Sequence, residues 1–449
     1  MDLTQYPFSQ SLTKSQLDQL NKQKLLWHYY EGNFKKWLLP KILPNGHTID
    51  DNVRVSLSRK VVNKGVSFLF GKPLTWQLFK NKNQTTEEVV GNTAKENALA
   101  EIWGNSETQT AFLSEVGING GVTGSFHIQI VAKQGQPIRL NNLDPNWVFV
   151  TPDPEDSDKA IEYDLRFPQN GELYRLLHTF NKSNNNWLSQ RQKWSIERKE
   201  WVNEGQAEIW PFPWPYVISG KNLPNPNSFY GCSDLEDADI NDSINLVASN
   251  LNRIIRIFAN PIVWGYGFGS NAMNVDTSKI ITATSDKAQL SALELARDLS
   301  SPQEYLQFLR SIYSEITNVP ESDPERLKIG ASSGFALEVL FNDLLLKTGI
   351  KRSFYGKALI ELNRRLLELS GFGDNNVTTL HWPNPLPVDK TSETTSDTFD
   401  LNGGLVSKRT LSTKRGYDYD QELEYMKQEQ QNNTALGENI VAAFRKGQG

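Results

Sequence analysis

Apolar positions fall first at helical spacing. Leu17 to Trp37 carries such a pattern, broken at Gly32 and ended by Pro40. A second helical stretch runs from about Asn52 to Phe70, with Val55, Leu57, Val61, Val62, Val66, Phe68 and Leu69 on its buried side. Gly71-Lys72-Pro73 stops it. Leu74 to Phe79 reads as a strand, residues 81–98 begin as a polar loop, and a helix is expected from about Lys95 to Val116. Between 117 and 230 the period changes to two. Phe126, Ile128 and Ile130 alternate, and further strands are expected at 138–143, 147–150, 161–167, 173–180 and 192–197, punctuated by Gly, Pro, Asn and Asp. Trp210 to Pro226, rich in proline and aromatics, reads as an ordered irregular connection.

At Ser233 the pattern returns to helix. Ser233 and Glu236 match a capping box, and Ile240, Ile244, Val247, Leu251, Ile254 and Phe258 follow on one face. Acidic residues from Asp234 to Asp242 near the start, and Arg253 and Arg256 near the end, suit the helix dipole and solvation. Ser233 to Ala259 predicts a rod of roughly 40 Å at 1.5 Å per residue. A small insertion follows, with strands expected at Ile262 to Tyr266 and Lys279 to Thr284. A shorter helix runs from Pro302 to about Asn318, then a polar loop with Pro324 and Gly330, then the longest helical signal, Gly334 to Ser370. Gly349 and Gly356 inside it predict a kink, each weakening the helix by roughly 1 kcal/mol relative to alanine. After Gly373 come one strand, 377–382, and helices near 389–401 and 407–414. These elements define an α+β protein.

Composition narrows the classes. The chain has 449 residues, 38% hydrophobic, with 12 Trp, 14 Tyr and 21 Phe, enough for a large core and against disorder. Cys232 is the single cysteine, so neither an internal disulfide nor a cysteine-based zinc site can form. A polar Met1–Lys14 segment without an apolar core implies no signal peptide, and no apolar run is long enough for a membrane span, which fits a reducing cytoplasm. The formal charge of −5 argues against tight gripping of nucleic acid, because such affinity comes largely from neutralised phosphates.

No constellation of catalytic residues stands up. Gly330-Ala331-Ser332-Ser333-Gly334 matches the nucleophile-elbow pattern, and Asp374 and His381 follow in order, yet the preceding segment is too polar for the buried strand an elbow needs. A loop with Ser332 or Ser333 as helix cap is the better account. Asp153, Glu155, Asp156 and Asp158 beside Lys159 could suggest a metal-dependent nuclease, but two prolines make this a solvated turn. Gly120 to Ser125 lacks the lysine of a phosphate loop and reads as a tight turn. The five histidines show no metal spacing. No cofactor, metal or catalytic residue is therefore assigned.

Several blocks resemble those of the portal proteins of tailed phages, in family order. They are Gly65 to Pro73 (GVSFLFGKP), Glu115 to Ser125 with the alternating Phe126 to Ile130, Leu143-Asp144-Pro145, Trp147 to Val150, Pro224 to Leu235, and Ser333-Gly334-Phe335-Ala336-Leu337. The resemblance implies a portal-type fold: a wing over 1–232, a first stem helix over 233–259, a clip over 260–301, and a second stem helix over 302–318. It continues with a tunnel loop over 319–333, a long kinked wing helix and returning strand over 334–400, and a crown over 401–449. It also implies a homo-oligomeric ring of twelve subunits at one capsid vertex of the virion, assembled in the host cytoplasm. Double-stranded DNA would pass through it non-specifically, and no membrane is involved. The implied partners are the terminase large subunit, a head–tail adaptor, the major capsid protein and the scaffold. Carried onto this chain, Arg326, Lys328, Ser332 and Ser333 would face the DNA, Trp264, Tyr266 and Phe268 would serve docking, and Ile240, Ile244, Val247 and Leu251 would make subunit contacts. The rivals are a hydrolase using Ser332, a nuclease using the Asp153 cluster, and another phage head or tail structural protein.

Overall fold

A computed structural model describes residues 2–34, 38–42, 46–79, 93–133, 135–259, 263–266, 287–292, 300–321, 334–386, 390–414, 419 and 422–427. The chain divides into two units, 1–332 with 336–385, and 333–335 with 386–449.

In the first unit, α1 (Lys14–Glu31) starts on a capping box between Thr13 and Gln16 and ends at Gly32, whose φ of 76° is left-handed. β1 (Lys41–Ile42) and β2 (Thr48–Ile49) pair antiparallel as a small exposed hairpin. α2 (Leu57–Phe70) begins later than the periodicity suggests: residues 51–56 are extended, and Ser56 caps the helix. β3 (Thr75–Phe79) follows. The single helix expected over Lys95–Val116 is two, α3 (Thr93–Trp103) and α4 (Ser106–Thr123), because Gly104 turns the chain and Asn105 caps the second by accepting from Thr108 N at 2.8 Å. α4 also runs through Gly120 and Gly121, where a turn is expected. A Cβ at Gly120 would collide with the Tyr355 hydroxyl and one at Gly121 would lie 2.9 Å from Val62 Cγ1, so these glycines allow close packing within a helix.

The strands expected over 117–230 form two sheets. β4 (Ser125–Val131), β5 (Arg139–Leu143) and β12 (Val217–Lys221) make one, in the order β12-β4-β5. β6 (Val148–Pro152), β7 (Ala160–Gln169), β8 (Glu172–Asn181), β9 (Asn186–Ser195) and β10 (Glu200–Asn203) form an antiparallel meander, with β11 (Glu208–Trp210) also on β9. β12 lies inside the segment expected to be irregular, and it pairs with β4, Ile218 opposite Ile128. β4 is buried on both sides, since Phe126, His127 and Ile128 are all enclosed, and its alternation therefore does not mark a solvent face.

Beyond the sheets come α5 (Ile240–Ala259), the paired strands β13 (Val263–Tyr266) and β14 (Gln289–Ala292), and α6 (Ser300–Thr317). The partner of β13 is β14; the strand expected over 279–284 lies outside the described residues. The long helical signal resolves into α7 (Gly334–Leu340) and α8 (Asn342–Leu367). The break falls at Phe341 (φ −98°, ψ 11°), whose buried ring packs on Phe68, and α8 continues through Gly349 and Gly356. β15 (Val377–His381) returns antiparallel to β3. One core joins α2, α4 and α8 to β12-β4-β5: Phe70, Val116, Phe126, Ile128, Tyr355, Leu359, Leu362 and Leu366 are enclosed, and the Phe126 and Tyr355 rings stack at 4.3 Å.

In the second unit, α9 (Lys390–Asn402) and α10 (Lys408–Lys414) agree with the helices expected at 389–401 and 407–414.

Candidate stem, clip and channel elements

α5 carries two working faces. Its 20 residues make a rod of roughly 30 Å, shorter than expected because residues 234–239 form turns. The first face is the apolar stripe, and α5 packs against α6. Ile244 (5% exposed) and Leu251 (7%) are already enclosed by a single chain, while Ile240 and Val247 are half-buried. Large apolar side chains are open elsewhere: Leu246 and Ile255 on α5, and Tyr305 (52% exposed), Phe308 (56%) and Ile316 on α6. The positions 305, 308 and 316 share one side of α6.

The second face is polar, and sequence reasoning missed it. Asn241, Asn245, Ser249 and Asn252 recur every three or four residues and are bonded to the extended segment 51–57. Leu57 N donates to Asn241 Oδ1 at 2.8 Å, Val55 N to Asn245 Oδ1 at 3.0 Å and Val53 N to Ser249 Oγ at 2.9 Å. In return Asn241 Nδ2 donates to Val55 O at 3.0 Å and Asn252 Nδ2 to Asp51 O at 2.9 Å. The fit has a metric cause. Four residues of helix advance about 6 Å and two residues of strand about 6.6 Å, so helix side chains can stand in for a neighbouring strand. Arg253 adds an ion pair to Asp51 at 3.0 Å.

At the start of α5 three of the blocks that carry the family resemblance, 65–73, 115–125 and 224–235, converge. Asp234 is not a solvated helix-dipole residue; its side chain is buried. Its Oδ2 accepts from Lys351 Nζ at 2.5 Å and its Oδ1 lies 3.1 Å from Lys347 Nζ, both on α8. Asp234 N donates to Gly121 O and Ser233 Oγ to Val122 O, at 2.9 and 2.6 Å. A Cβ at Gly65 would press on Lys351 Nζ, and one at Gly121 on Asp234 Oδ2. Burial pushes the Asp234 carboxyl up, but the two lysines outweigh it and hold it below the usual carboxylate range. Burial lowers Lys351, and Asp234 draws it partly back. Lys347 also donates to Thr317 O at 3.2 Å, and Tyr313 meets Ser58 at 3.1 Å, so the start of α5 and the end of α6 are tied to the same core.

The other end joins α5 to α6 through β13 and β14. Trp264 stands opposite Ser291, and Tyr266, exposed, donates from its hydroxyl to Gln289 Oε1 at 2.8 Å. Phe268, Arg326, Lys328, Ser332 and Ser333 lie outside the described residues. In the acidic turn, Asp156 pairs with Lys159 (3.0 Å) and Asp158 with Lys221 (2.7 Å), so the carboxylates turn to separate lysines and do not converge on one point. Among the described residues no His, Cys, Asp and Glu cluster could hold a metal, and no helix is long and apolar enough to cross a membrane. Asp374 and His381, the proposed partners of Ser332, are both exposed.

Residues 11–435 match the family described as phage portal protein, SPP1 Gp6-like, and the chain belongs to that family. It is a structural, non-enzymatic component of a phage particle, a subunit of the ring-shaped channel for DNA, which sets aside the hydrolase and nuclease readings. Similar solved structures come from gene transfer agent particles. A chain of the virion of a native particle is 12% identical, with 89% of this chain and 99% of that chain covered and a TM-score of 0.43. A chain of the neck of an empty particle, computed with C6 symmetry, is 13% identical over 80% and 89%, with a TM-score of 0.42. A chain of the neck of a native particle, computed with C12 symmetry, is 12% identical over 80% and 89%, with a TM-score of 0.40. A search of the curated proteins found no match.

Proposed function

We propose that twelve copies close the ring, with α5 and α6 as its stem and residues 260–301 as the clip that docks the terminase large subunit and then a head–tail adaptor. The carrying observation is the antiparallel pair α5–α6, tied into the wing core at one end through Asp234, Asn241 and Thr317 and bearing the β13–β14 pair at the other. In this reading 1–232 is wing, facing the major capsid protein and the scaffold during assembly, and 401–449 forms the crown. Residues 319–333 form the tunnel loop beside the DNA, with Arg326 and Lys328 as its cations and Ser332 and Ser333 near its end. Ile240 and Val247, half open in the single chain, serve subunit contact.

Charge supports a conduit rather than a clamp. Twelve copies at −5 each carry about −60 formally, so repulsion prevails along the wall while a few cations touch phosphates transiently. An electron-microscopy map of the purified protein tests the proposal. A twelve-fold ring with a helical stem and Lys328 on the channel wall is expected; Lys328 on the outer wall, or a ring lacking the stem, would overturn it.

A further inference from the structure

A groove of about 590 Å³ opens where α5 begins, α6 ends and the first half of α8 passes. Its apolar lining is left open by the chain that forms it: Leu346 is 63% exposed and Ile350 46%, with Ile316 beside them. Its margin is acidic. Asp237 and Asp343 have no cationic partner among the described residues, whereas Glu236 is held by Lys22. Lys347, the groove's own cation, is engaged by Asp234 and Thr317 O. Such a site wants an apolar segment carrying positive charge, and its volume is in the range that encloses a few side chains, about 300–1,000 Å³.

The same chain displays a segment of that chemistry. The β1–β2 hairpin presents Leu39 (67% exposed) and Ile42 (72%) with Ile49, and between Leu39 and Ile42 stands Lys41, exposed and without a carboxylate partner among the described residues. Among the described residues, the bonds that tie this segment to its own α5 lie beyond Ile49, at Asp51 and in the ladder that follows. Because both surfaces stay open in one chain, neither serves the other within that chain. A ring of identical subunits requires two different, complementary faces on each copy.

We propose that the β1–β2 arm of one copy seats in the α5–α6–α8 groove of the adjacent copy, Leu39 and Ile42 covering Leu346 and Ile350 while Lys41 meets Asp343 and Asp237. The proposal rests on ring assembly. The apolar contact supplies the burial and the charges set direction and register.

The test uses the full chain with Cys232→Ser, since Cys232 lines the groove. Ile42→Cys and Leu346→Cys are combined, oxidised mildly and run without reductant, with rings scored separately by negative stain. Covalent dimers, trimers and longer ladders from the double variant, absent from either single variant, are expected. Rings that stay uncross-linked, or a cross-link confined to single chains, overturn the arm–groove contact and leave the ring itself standing. Should the double cysteine variant fail to assemble, Lys41→Glu and Asp343→Lys decide. Each alone should raise the concentration for half-assembly by about three- to fivefold, and the pair together should restore it. No change from either, or no recovery in the pair, overturns the proposal.

Discussion

Where α5 begins and α6 ends the two helices are bound by buried polar groups, whereas along one side of α6 large apolar groups stand in solvent. Asp234, Lys351, Asn241 and Asn245 are enclosed and each has a specific partner. Tyr305 and Phe308 are more than half exposed and stack on one another, with ring centroids 6.4 Å apart. In most proteins the assignments run the other way, apolar groups inside and charged groups outside. The inversion separates two tasks. Buried polar groups accept few alternative partners, so they fix how the α5–α6 pair leaves the core within one chain. Exposed apolar groups offer a surface that a partner can cover, so assembly is the task proposed for them. Mutations in the two regions should therefore differ in kind, the first reading out as folding and the second as association.

The largest effect is expected at Asp234. Asp234→Asn strands Lys351 and Lys347 together in the core and should cost about 3–5 kcal/mol of unfolding free energy in urea titrations of the full chain. Adding Lys351→Met should return part of that loss. A cost below about 1 kcal/mol would mean that water reaches the lysines and that the junction is not closed.

Next comes the ladder. Asn245→Ala removes the acceptor of Val55 N and a donor to Val55 O, for an expected loss of about 1–3 kcal/mol. Hydrogen exchange gives a local reading: the amides of Val53, Val55 and Leu57 should lose protection, while those of β4 keep it. Uniform loss would show that the segment 51–57 is not an independent element.

The element plan was largely legible in the sequence, and so was the class of protein. The helical spacing of α1 survives because Leu20, Gln23, Leu26 and Tyr29 bury one side against neighbours, whereas β7 encloses Tyr163, Asp164, Leu165 and Arg166 in succession and is legible from its apolar content and bounding turns. Legibility fails where partners come from afar. Gly120 and Gly121 read as a turn because local propensity cannot show Tyr355 and Val62 closing on a helix. Val217 to Lys221 read as irregular because three prolines and four aromatics precede it over residues 210–216, although pairing with β4 makes it a strand. Asp234 read as a dipole residue because Lys347 and Lys351 lie more than a hundred positions away. The ladder did leave a signal, Asn and Ser at helical spacing beside the apolar stripe. Of the assigned residues, Ile244 and Leu251 turned out to be enclosed within one chain, a distinction between self-burial and subunit contact that periodicity alone cannot make.

A pH series sharpens the inner half of the comparison. His127 and His178 are buried, with Nδ1 at 2.6 Å from Ser219 Oγ and 2.8 Å from Ser189 Oγ, and burial pushes each down to about 3 from the ordinary 6.5. Both are neutral in the fold at neutral pH. Below about 6.5 the unfolded chain binds protons that the fold refuses, so stability falls as pH drops, by up to about 1.4 kcal/mol per pH unit for each histidine, and levels off below the folded value. Comparing urea midpoints at about pH 6 and pH 5, His178→Gln should lose one histidine's share of the slope. An unchanged slope would show that His178 takes up its proton inside the fold.

The smallest effect on folding is expected at Phe308, and it separates the two regions most cleanly. Its ring is 56% exposed, so Phe308→Ser removes little burial from the single chain, and the unfolding free energy of dissociated subunits should stay within about 0.5 kcal/mol of the parent. Association should respond differently. If this side of α6 is covered by another copy, serine removes an aromatic group from that contact, and sedimentation at equal concentration should show fewer closed rings and more free subunits. The matched control is Asn245→Ala, for which the unfolding free energy falls first and rings are lost only as far as the fold is lost. Phe308→Ser rings that form at the parent's concentration would place that face in solvent even in the assembly and would end the division between a self-closed end of the helix pair and a face closed by a partner. Rings lost together with the fold would make Phe308 a folding residue, and its exposure would then not mark an assembly surface.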